Sequence, residues 1–404
     1  MAEVKVILIS QVFYPDEVAV SNLLTKLFVR LGNDHGIRAK VWCAQPSYTT
    51  RLRQPSKAVY QGVEISYLAS TNFPKSQILG RLLNVLTYSV SVFFKLIFHR
   101  GKEIIMVHTT PPFLAILVIF LSRVKGLRVV YVLMDVFPDG LIRLGKTSTR
   151  NPLVWLWKRW HRSALKHSSR IVTIGRDMAE WVRLEVPSAN DQQLCVIPIW
   201  QDERLISPKS WEENPFVSRY GLGQQFVVQF SGNMGLWNDM ATIGGAVKAG
   251  IPGVVFMFIG DGIRRKELLS SIGNNTPENA IFLPFLSNEE YAHSVSACHC
   301  GLVSLRPEAV GMAVPSKIIG ILAAGIPVLA ITPDDSELAM IVRENSCGLV
   351  VSPGNVKKLI EEILFLRENE AARIQMGHNA RTAFEEKYTA AKAAESYSML
   401  LNNL

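Results

Sequence analysis

The chain has 404 residues, 48% of them hydrophobic and 19% charged. This excludes a disordered polypeptide and is too long for one ordinary core, so two domains of about 200 residues each are expected. The net charge of +9 is unevenly held: residues 1–205 carry 27 Lys/Arg against 14 Asp/Glu, a net of +13, and residues 206–404 carry 16 against 20, a net of −4. A basic half joined to a mildly acidic one suggests that only the first half meets a polyanion or an anionic membrane. The plainer reading is uneven surface charge without a partner.

In chain order, short β-branched apolar runs alternate with helical stretches, the sign of parallel α/β layers. The first run, 4–10, is too short for a signal-peptide core and reads as a strand, so a cytoplasmic protein is expected. Others follow at 39–44, 63–67, 103–108, 128–134, 169–174 and 194–198. Mean hydropathy is +0.18, and no segment reaches 18 uncharged apolar residues; 82–98 comes closest, interrupted by Asn84 and Lys95. Arg81, Lys95, His99, Arg100 and Lys102 lie at the ends of that stretch, and Trp155, Trp157 and Trp160 stand among Lys158, Arg159, Arg162 and Lys166. Basic flanks with aromatics suit an anionic bilayer surface; core helices of the first domain are the alternative. No recognised motif supports nucleic acid as the polyanion.

A polar stretch at 199–214 separates the halves. The domains are read as 1–205, 206–385 and a terminal segment 386–404, with residues 371–404 helical and packing back on the first domain. Second-half runs fall at 226–230, 254–260, 280–283, 300–305, 327–331 and 347–351. The prediction is two doubly wound parallel-sheet domains facing each other across a cleft. Five cysteines without a CxxC pair disfavour a disulfide framework. Cys298-His299-Cys300, with His293 upstream, lacks zinc-knuckle spacing and leads into an apolar run, so it reads as buried core.

The most informative stretch is 314–329. Pro315 stops the preceding chain, Ser316 is a good N-cap, and 317–324 read as a short apolar helix. Gly325 supplies a left-handed C-cap, and Pro327 prevents re-entry before the next strand. Free backbone N–H groups, a positive dipole end and the Lys317 ammonium suit a phosphate or diphosphate; the alternative is a surface lysine on an ordinary helix. The same half places glycines directly after strands, Gly232 and Gly235 after 226–230, Gly260 and Gly262 after 254–259. Glycines there let backbone approach a phosphate, and neither cluster is a GxGxxG fingerprint, which disfavours a dinucleotide.

These motifs, in order and spacing, resemble the family-4 retaining glycosyltransferases of GT-B fold, in their bacterial cell-surface polysaccharide branch. The resemblance rests on Phe13-Tyr14-Pro15-Asp16-Glu17, Thr109-Thr110-Pro111-Pro112, the stretch 133–139 with Asp135 and Asp139, Val172-Thr173-Ile174-Gly175-Arg176-Asp177-Met178, Ser231-Gly232-Asn233-Met234-Gly235, Ile259-Gly260-Asp261-Gly262, Val314-Pro315-Ser316-Lys317 and Cys347-Gly348-Leu349-Val350-Val351. Pro198 to Asp202 is a poor version of the family's "PNGVD". It implies a donor site built from Gly232, Asn233, Met234, Gly260, Asp261, Gly262, Arg264, Phe285, Met312, Ala313, Val314, Pro315, Ser316 and Gly320. It implies acceptor contacts at Tyr14, Pro15, Asp16 and Asp139. The family's Glu-x7-Glu pair is absent, since Met312 and Gly320 stand at its two positions, and Leu236-Trp237-Asn238 replace the usual diphosphate-clamping Arg and Lys. Glu308 has the wrong spacing to substitute.

The implied activity is transfer of a hexosyl or N-acetylhexosaminyl group, with retention, from a nucleotide-diphospho-sugar (UDP-sugar favoured) to a lipid-linked or glycan acceptor. It implies a peripheral protein on the inner face of the plasma membrane. No cofactor and no metal is expected, as no DxD-type pair is placed for one and Asp334-Asp335 reads as a turn before a capped helix. Lys317 is the candidate for holding the departing diphosphate. Asp135 is the candidate for orienting or deprotonating the acceptor, with His108 as a second; a helix cap or a partner to Arg143 is the structural alternative for Asp135, and a satisfied strand-end histidine for His108. The rivals are a sugar-nucleotide epimerase of the same architecture and a non-catalytic glycosyltransferase partner.

Overall fold

The apolar runs become the strands of two parallel sheets in the computed structural model, which describes residues 3–45, 52–74, 78–273 and 277–404. The chain divides into two compact units, residues 1–198 with 390–404, and residues 199–389.

Unit 1 runs β1 (Lys5–Ile9), α1 (Ala19–Asn33), β2 (Arg38–Gln45), β3 (Lys57–Tyr60), β4 (Val63–Ala69), α2 (Ile78–Phe98), β5 (Ile104–His108), α3 (Pro112–Val124), β6 (Val129–Leu133), α4 (Asp139–Arg143), α5 (Pro152–His167), β7 (Arg170–Thr173), α6 (Arg176–Glu185) and β8 (Leu194–Val196). The sheet order is β3-β4-β2-β1-β5-β6-β7-β8. Its central strands are buried along their length, as parallel strands covered on both faces must be. Only β3 is antiparallel. No expected run covers it: four residues, alternately exposed at a sheet edge, carry little apolar signal.

Unit 2 runs α7 (Pro215–Arg219), β9 (Phe226–Ser231), α8 (Met240–Lys248), β10 (Val254–Ile259), α9 (Arg265–Ile272), β11 (Ala280–Leu283), α10 (Asn288–Val295), β12 (Cys300–Ser304), α11 (Lys317–Ala323), β13 (Val328–Ile331), α12 (Glu337–Glu344), β14 (Gly348–Val351), α13 (Val356–Glu368) and α14 (Glu370–Ala383). Its six strands, all parallel, are ordered β11-β10-β9-β12-β13-β14. Cys298 and Cys300 are buried, and His299 Nδ1 accepts from Val227 N at 3.0 Å, so this trio is core.

The single helix expected over 371–404 is three pieces. After α14 a π-helical turn covers Phe384–Tyr388, Thr389 is extended, and α15 (Ala390–Asn402) follows. Arg381 of α14 donates to Ala323 O at 2.5 Å, which holds α14 in unit 2. Only α15 packs back on unit 1, against α1, burying Ala393, Ala394, Tyr397 and Leu401.

Helix α2 is long and apolar enough to cross a membrane by length and composition. It lies instead on the sheet of unit 1: Tyr88, Val92 and Leu96 are fully buried. The Tyr88 hydroxyl is 2.8 Å from Ser10 O and 2.7 Å from Trp42 O, locking the helix to β1 and β2. Tyr88→Phe removes the donor and keeps the shape, leaving two buried carbonyls without it. The expected cost is about 1–2 kcal/mol, read as a lower urea midpoint with an unchanged slope.

Candidate functional site

In an open parallel sheet, ligands bind beyond the carboxyl ends of the strands where the strand order reverses. In unit 2 that point lies between β9 and β12. The loop 232–238 leaves β9 there, and the loop 305–316 leaves β12. Asn238 joins them: its Oδ1 accepts from Gly235 N at 2.9 Å and its Nδ2 donates to Ser304 O at 2.9 Å. Arg306 N donates to Trp237 O at 2.8 Å. The stretch 236–238, which departs from the resembled family, thus acts as a backbone clamp.

Lys317, the first residue of α11, projects into this point. Its Nζ donates to Asn233 O at 3.2 Å and lies 3.6 Å from the centroid of the buried Phe230 ring. The side chain is half-buried, and desolvation lowers its pKa to about 7. The backbone N–H groups of Ser316 and Lys317 have no partner among the described residues. Ser316 does not cap: it is helical in backbone, exposed, and its hydroxyl makes no capping bond. With α11 only seven residues long, anion-holding capacity rests on Lys317 and open amides, not on a capped dipole. Gly325 does take the left-handed conformation, at φ 67°.

Two backbone approaches explain the glycines of the neighbouring loop. A Cβ on Gly260, at φ 114°, would stand 2.5 Å from Gly232 O, and one on Gly262 would stand 2.4 Å from Met234 O. Met234 N donates to Asp261 O at 2.9 Å, so the two loops lie backbone to backbone. Phe285 stands beside Gly260, 60% exposed, an aromatic face open at the same edge.

The expected donor set therefore splits. Gly232, Asn233, Gly260, Gly262, Phe285 and Lys317 come together around the loops after β9 and β10. The side chains of Met234, Met312 and Ala313 are buried, leaving only their backbone to offer. Asp261 accepts from Gly262 N at 2.8 Å. Arg264 is not a free diphosphate cation, because it donates to Leu236 O at 2.9 Å and pairs with Glu267 at 2.5 Å. Val314 and Pro315 are half-buried in the loop leading to α11. Gly320 is buried, and the Tyr291 hydroxyl lies 2.5 Å from where its Cβ would be. That hydroxyl has no hydrogen-bond partner among the described residues. Tyr291 carried no local signal in the sequence, since its position against α11 depends on the crossover through α10. Asp334 pairs with Arg343, and Ser336 caps α12 by accepting from Ala339 N at 3.1 Å. Among the described residues no three His, Cys, Asp or Glu gather as a metal site.

In unit 1 the order reverses between β1 and β5, and most polar groups near that point serve the fold. His108, at the end of β5, is buried. Its Nδ1 accepts from Thr110 N at 3.3 Å, and its Nε2 lies 2.8 Å from Ser10 Oγ, whose own proton goes to Val12 O at 2.7 Å. The donor inventory assigns the Nε2–H tautomer, and burial lowers the pKa to about 4. Both ring nitrogens of His108 thus have partners within unit 1, which fits the strand-end structural alternative. Asp139 is buried and pairs through Oδ1 with Lys158, which also bonds Glu185 at 3.0 Å, tying α4 to α5 and α6, while its Oδ2 has no hydrogen-bond partner among the described residues. Asp16 is buried near Cys43 and Tyr67. Tyr14 is exposed and stacks on Tyr60 with centroids 3.7 Å apart, and Pro15 follows it half-buried.

Asp135 differs from all of these. It follows β6, and no described side chain or backbone group bonds its carboxylate; Pro138, not Asp135, stands at the N-cap of α4. Burial raises its pKa to about 6. A carboxylate without partners, poised near neutrality at a strand end, suits proton transfer.

Comparison with known proteins gives a consistent picture. Residues 226–383 match the family described as "Glycosyl transferases group 1". A curated relative, "Probable glycosyltransferase WbjE" of Pseudomonas aeruginosa, is 26% identical over 314 residues, covering 76% of each chain. Among solved structures, sucrose-phosphate synthase of Thermosynechococcus elongatus has a TM-score of 0.76 at 14% identity over 99% of both chains. HepE of Anabaena, in complex with UDP-glucose, has a TM-score of 0.72 at 16% identity over 99% of this chain and 100% of that one.

Gly260→Ala forces a Cβ against backbone in a left-handed conformation. It should cost about 1–3 kcal/mol and disturb the 232–235 loop. A lowered melting temperature would register this, and an unchanged one would mean that the loops separate freely.

Proposed function

We propose that this chain is a glycosyltransferase: residues 226–383 match the group 1 glycosyltransferase family, and its two parallel-sheet units share the fold of sucrose-phosphate synthase and HepE. From that premise we propose that it transfers a hexosyl or N-acetylhexosaminyl group, with retention, from a UDP-sugar to a lipid-linked or glycan acceptor in cell-surface polysaccharide synthesis. The observation that carries the donor side is Lys317, held over Phe230 at the switch point of unit 2 beside two open amides. The C1–O bond to the diphosphate breaks as the bond to the acceptor oxygen forms. Lys317 and the amides of 316–317 receive the charge developing on the departing diphosphate, a role that needs no metal or other cofactor. The UDP-glucose bound by HepE supports a uridine donor. Asp135 in unit 1 is assigned to the acceptor, orienting its hydroxyl or taking its proton.

The acceptor is assigned to a bilayer surface, on the cytoplasmic side of the plasma membrane. The support is the outer face of α2, where Leu79, Leu82, Leu86, Val90 and Phe94 are exposed along about 23 Å of helix. On α5, Trp155 and Trp160 are exposed, whereas Trp157 turns inward onto Phe113, with centroids 4.6 Å apart. An amphipathic helix docked by one face and apolar on the other lies in a membrane interface, and the basic half around it fits anionic lipid.

Two experiments test the catalytic reading. Lys317→Ala should lower turnover by about two orders of magnitude. Its pKa near 7 also has a sign: a lysine that must be charged to hold a diphosphate takes up a proton on binding. UDP-glucose affinity by calorimetry should therefore weaken up to about tenfold per unit as pH rises above 7, and Lys317→Met should flatten that slope. Wild-type turnover and slope in these variants would remove the role. Asp135 must be ionised, so the acid limb of kcat/KM should fall near pH 6 and disappear in Asp135→Asn with a loss of about 100-fold or more. Unaltered turnover would reject it.

A further inference from the structure

The α2–β5 and α3–β6 turns of unit 1 lie side by side and enclose a concavity of about 640 Å³, lined by His99, Arg100, Lys102, Lys125 and Arg128 with intervening glycines and Leu127. The carboxyl ends of α2 and α3 point here, and some of this charge answers them. Lys125 donates to Ile97 O at 2.7 Å, and Arg128 donates to the backbone of Leu404. Glu103 is hydrogen-bonded to His99 Nε2 at 2.9 Å and paired with Lys40 at 3.7 Å. Arg100 and Lys102 are left over: both are exposed, and neither has a partner among the described residues. Arg123, one turn back on α3, is in the same condition. Directly beside these cations stand two of the most exposed apolar side chains of the unit, Phe98 at 76% and Val124 at 85%, at the ends of α2 and α3.

Cations without partners around a concavity, next to unpartnered apolar side chains, match the layered chemistry of an anionic bilayer, phosphate above and acyl chain below. We propose that this corner of unit 1 is an anionic-phospholipid site, in which Arg100 and Lys102 hold a headgroup phosphate in the concavity while Phe98 and Val124 enter the acyl layer. It rests on the bilayer reading of α2 and gives that surface an anchoring point at the end of the unit 1 strands opposite to Asp135. The lysine and arginine stems reach along apolar surface to place their charges at phosphate level.

The test is co-sedimentation of the full chain with vesicles of phosphatidylcholine, or of phosphatidylcholine with 30% phosphatidylglycerol (about one lipid in three), at low and raised salt. Arg100→Gln/Lys102→Gln should lose roughly 30-fold of affinity for the anionic vesicles, the effect of removing two surface cations. Phe98→Ser/Val124→Ser should lower it on both vesicle types. UDP-glucose affinity should stay at the wild-type value in both pairs, which also reports that they fold. Inorganic phosphate at matched ionic strength should not compete; if it did, the concavity would be a soluble-anion site and the proposal would fall. A loss only in a separate pair, Leu82→Ser/Leu86→Ser, would leave the bilayer reading standing and overturn the headgroup site. Wild-type binding in all three pairs, or none to either vesicle, would overturn both and leave the donor reading untouched.

Discussion

The proposed donor site depends on how one amine is held. Lys317 lies between the face of Phe230 and the carbonyl of Asn233, at the only kind of place in an open parallel sheet where loops from both directions diverge. Desolvation lowers the cost of losing its proton, while the ring face and the carbonyl oxygen favour keeping it. In the proposed donor complex a diphosphate supplies the missing anion, so the same burial that weakens the charge in the free protein would strengthen its attraction to the ligand. The glycine loops matter because they bring backbone close to this point, and Asn238 matters because it prevents the two loops from drifting apart.

Unit 1 follows the opposite rule. Several buried polar groups near its switch point are engaged internally: His108 by Ser10 and Thr110, one oxygen of Asp139 by Lys158, and Tyr88 by two carbonyls. Such closed networks rigidify a unit and cannot also do chemistry without leaving a buried group unpaired. Asp135 stands out by having no such commitment, and its raised pKa follows from burial alone. The group proposed for proton transfer is the one the fold did not use.

Much of this was legible in the sequence, for a physical reason. Strands buried on both faces must be continuous apolar runs, so all thirteen expected runs are strands and only β3 of the fourteen described strands was not foreseen, and the 314–329 stretch carries its own stop signals at Pro315 and Gly325. Less legible were features decided by tertiary contact. The short edge strand β3 has alternating exposure and little apolar weight. The break at Thr389 interrupts an Ala-rich stretch that favours helix throughout. Residue type could not tell Asp135 from Asp139, or a catalytic His108 from a core one, because each assignment depends on partners brought in from elsewhere in the chain. Tyr291 against Gly320 is the same case, a contact between α10 and α11 that no local pattern encodes.

The most direct measurement of the central claim is a crystal structure of the chain with UDP bound. The account predicts the terminal phosphate within hydrogen-bond distance of Lys317 Nζ and of the 316–317 amides, with the base near Phe285. A diphosphate bound elsewhere on unit 2, with Lys317 still resting on Asn233 O and Phe230, would contradict it.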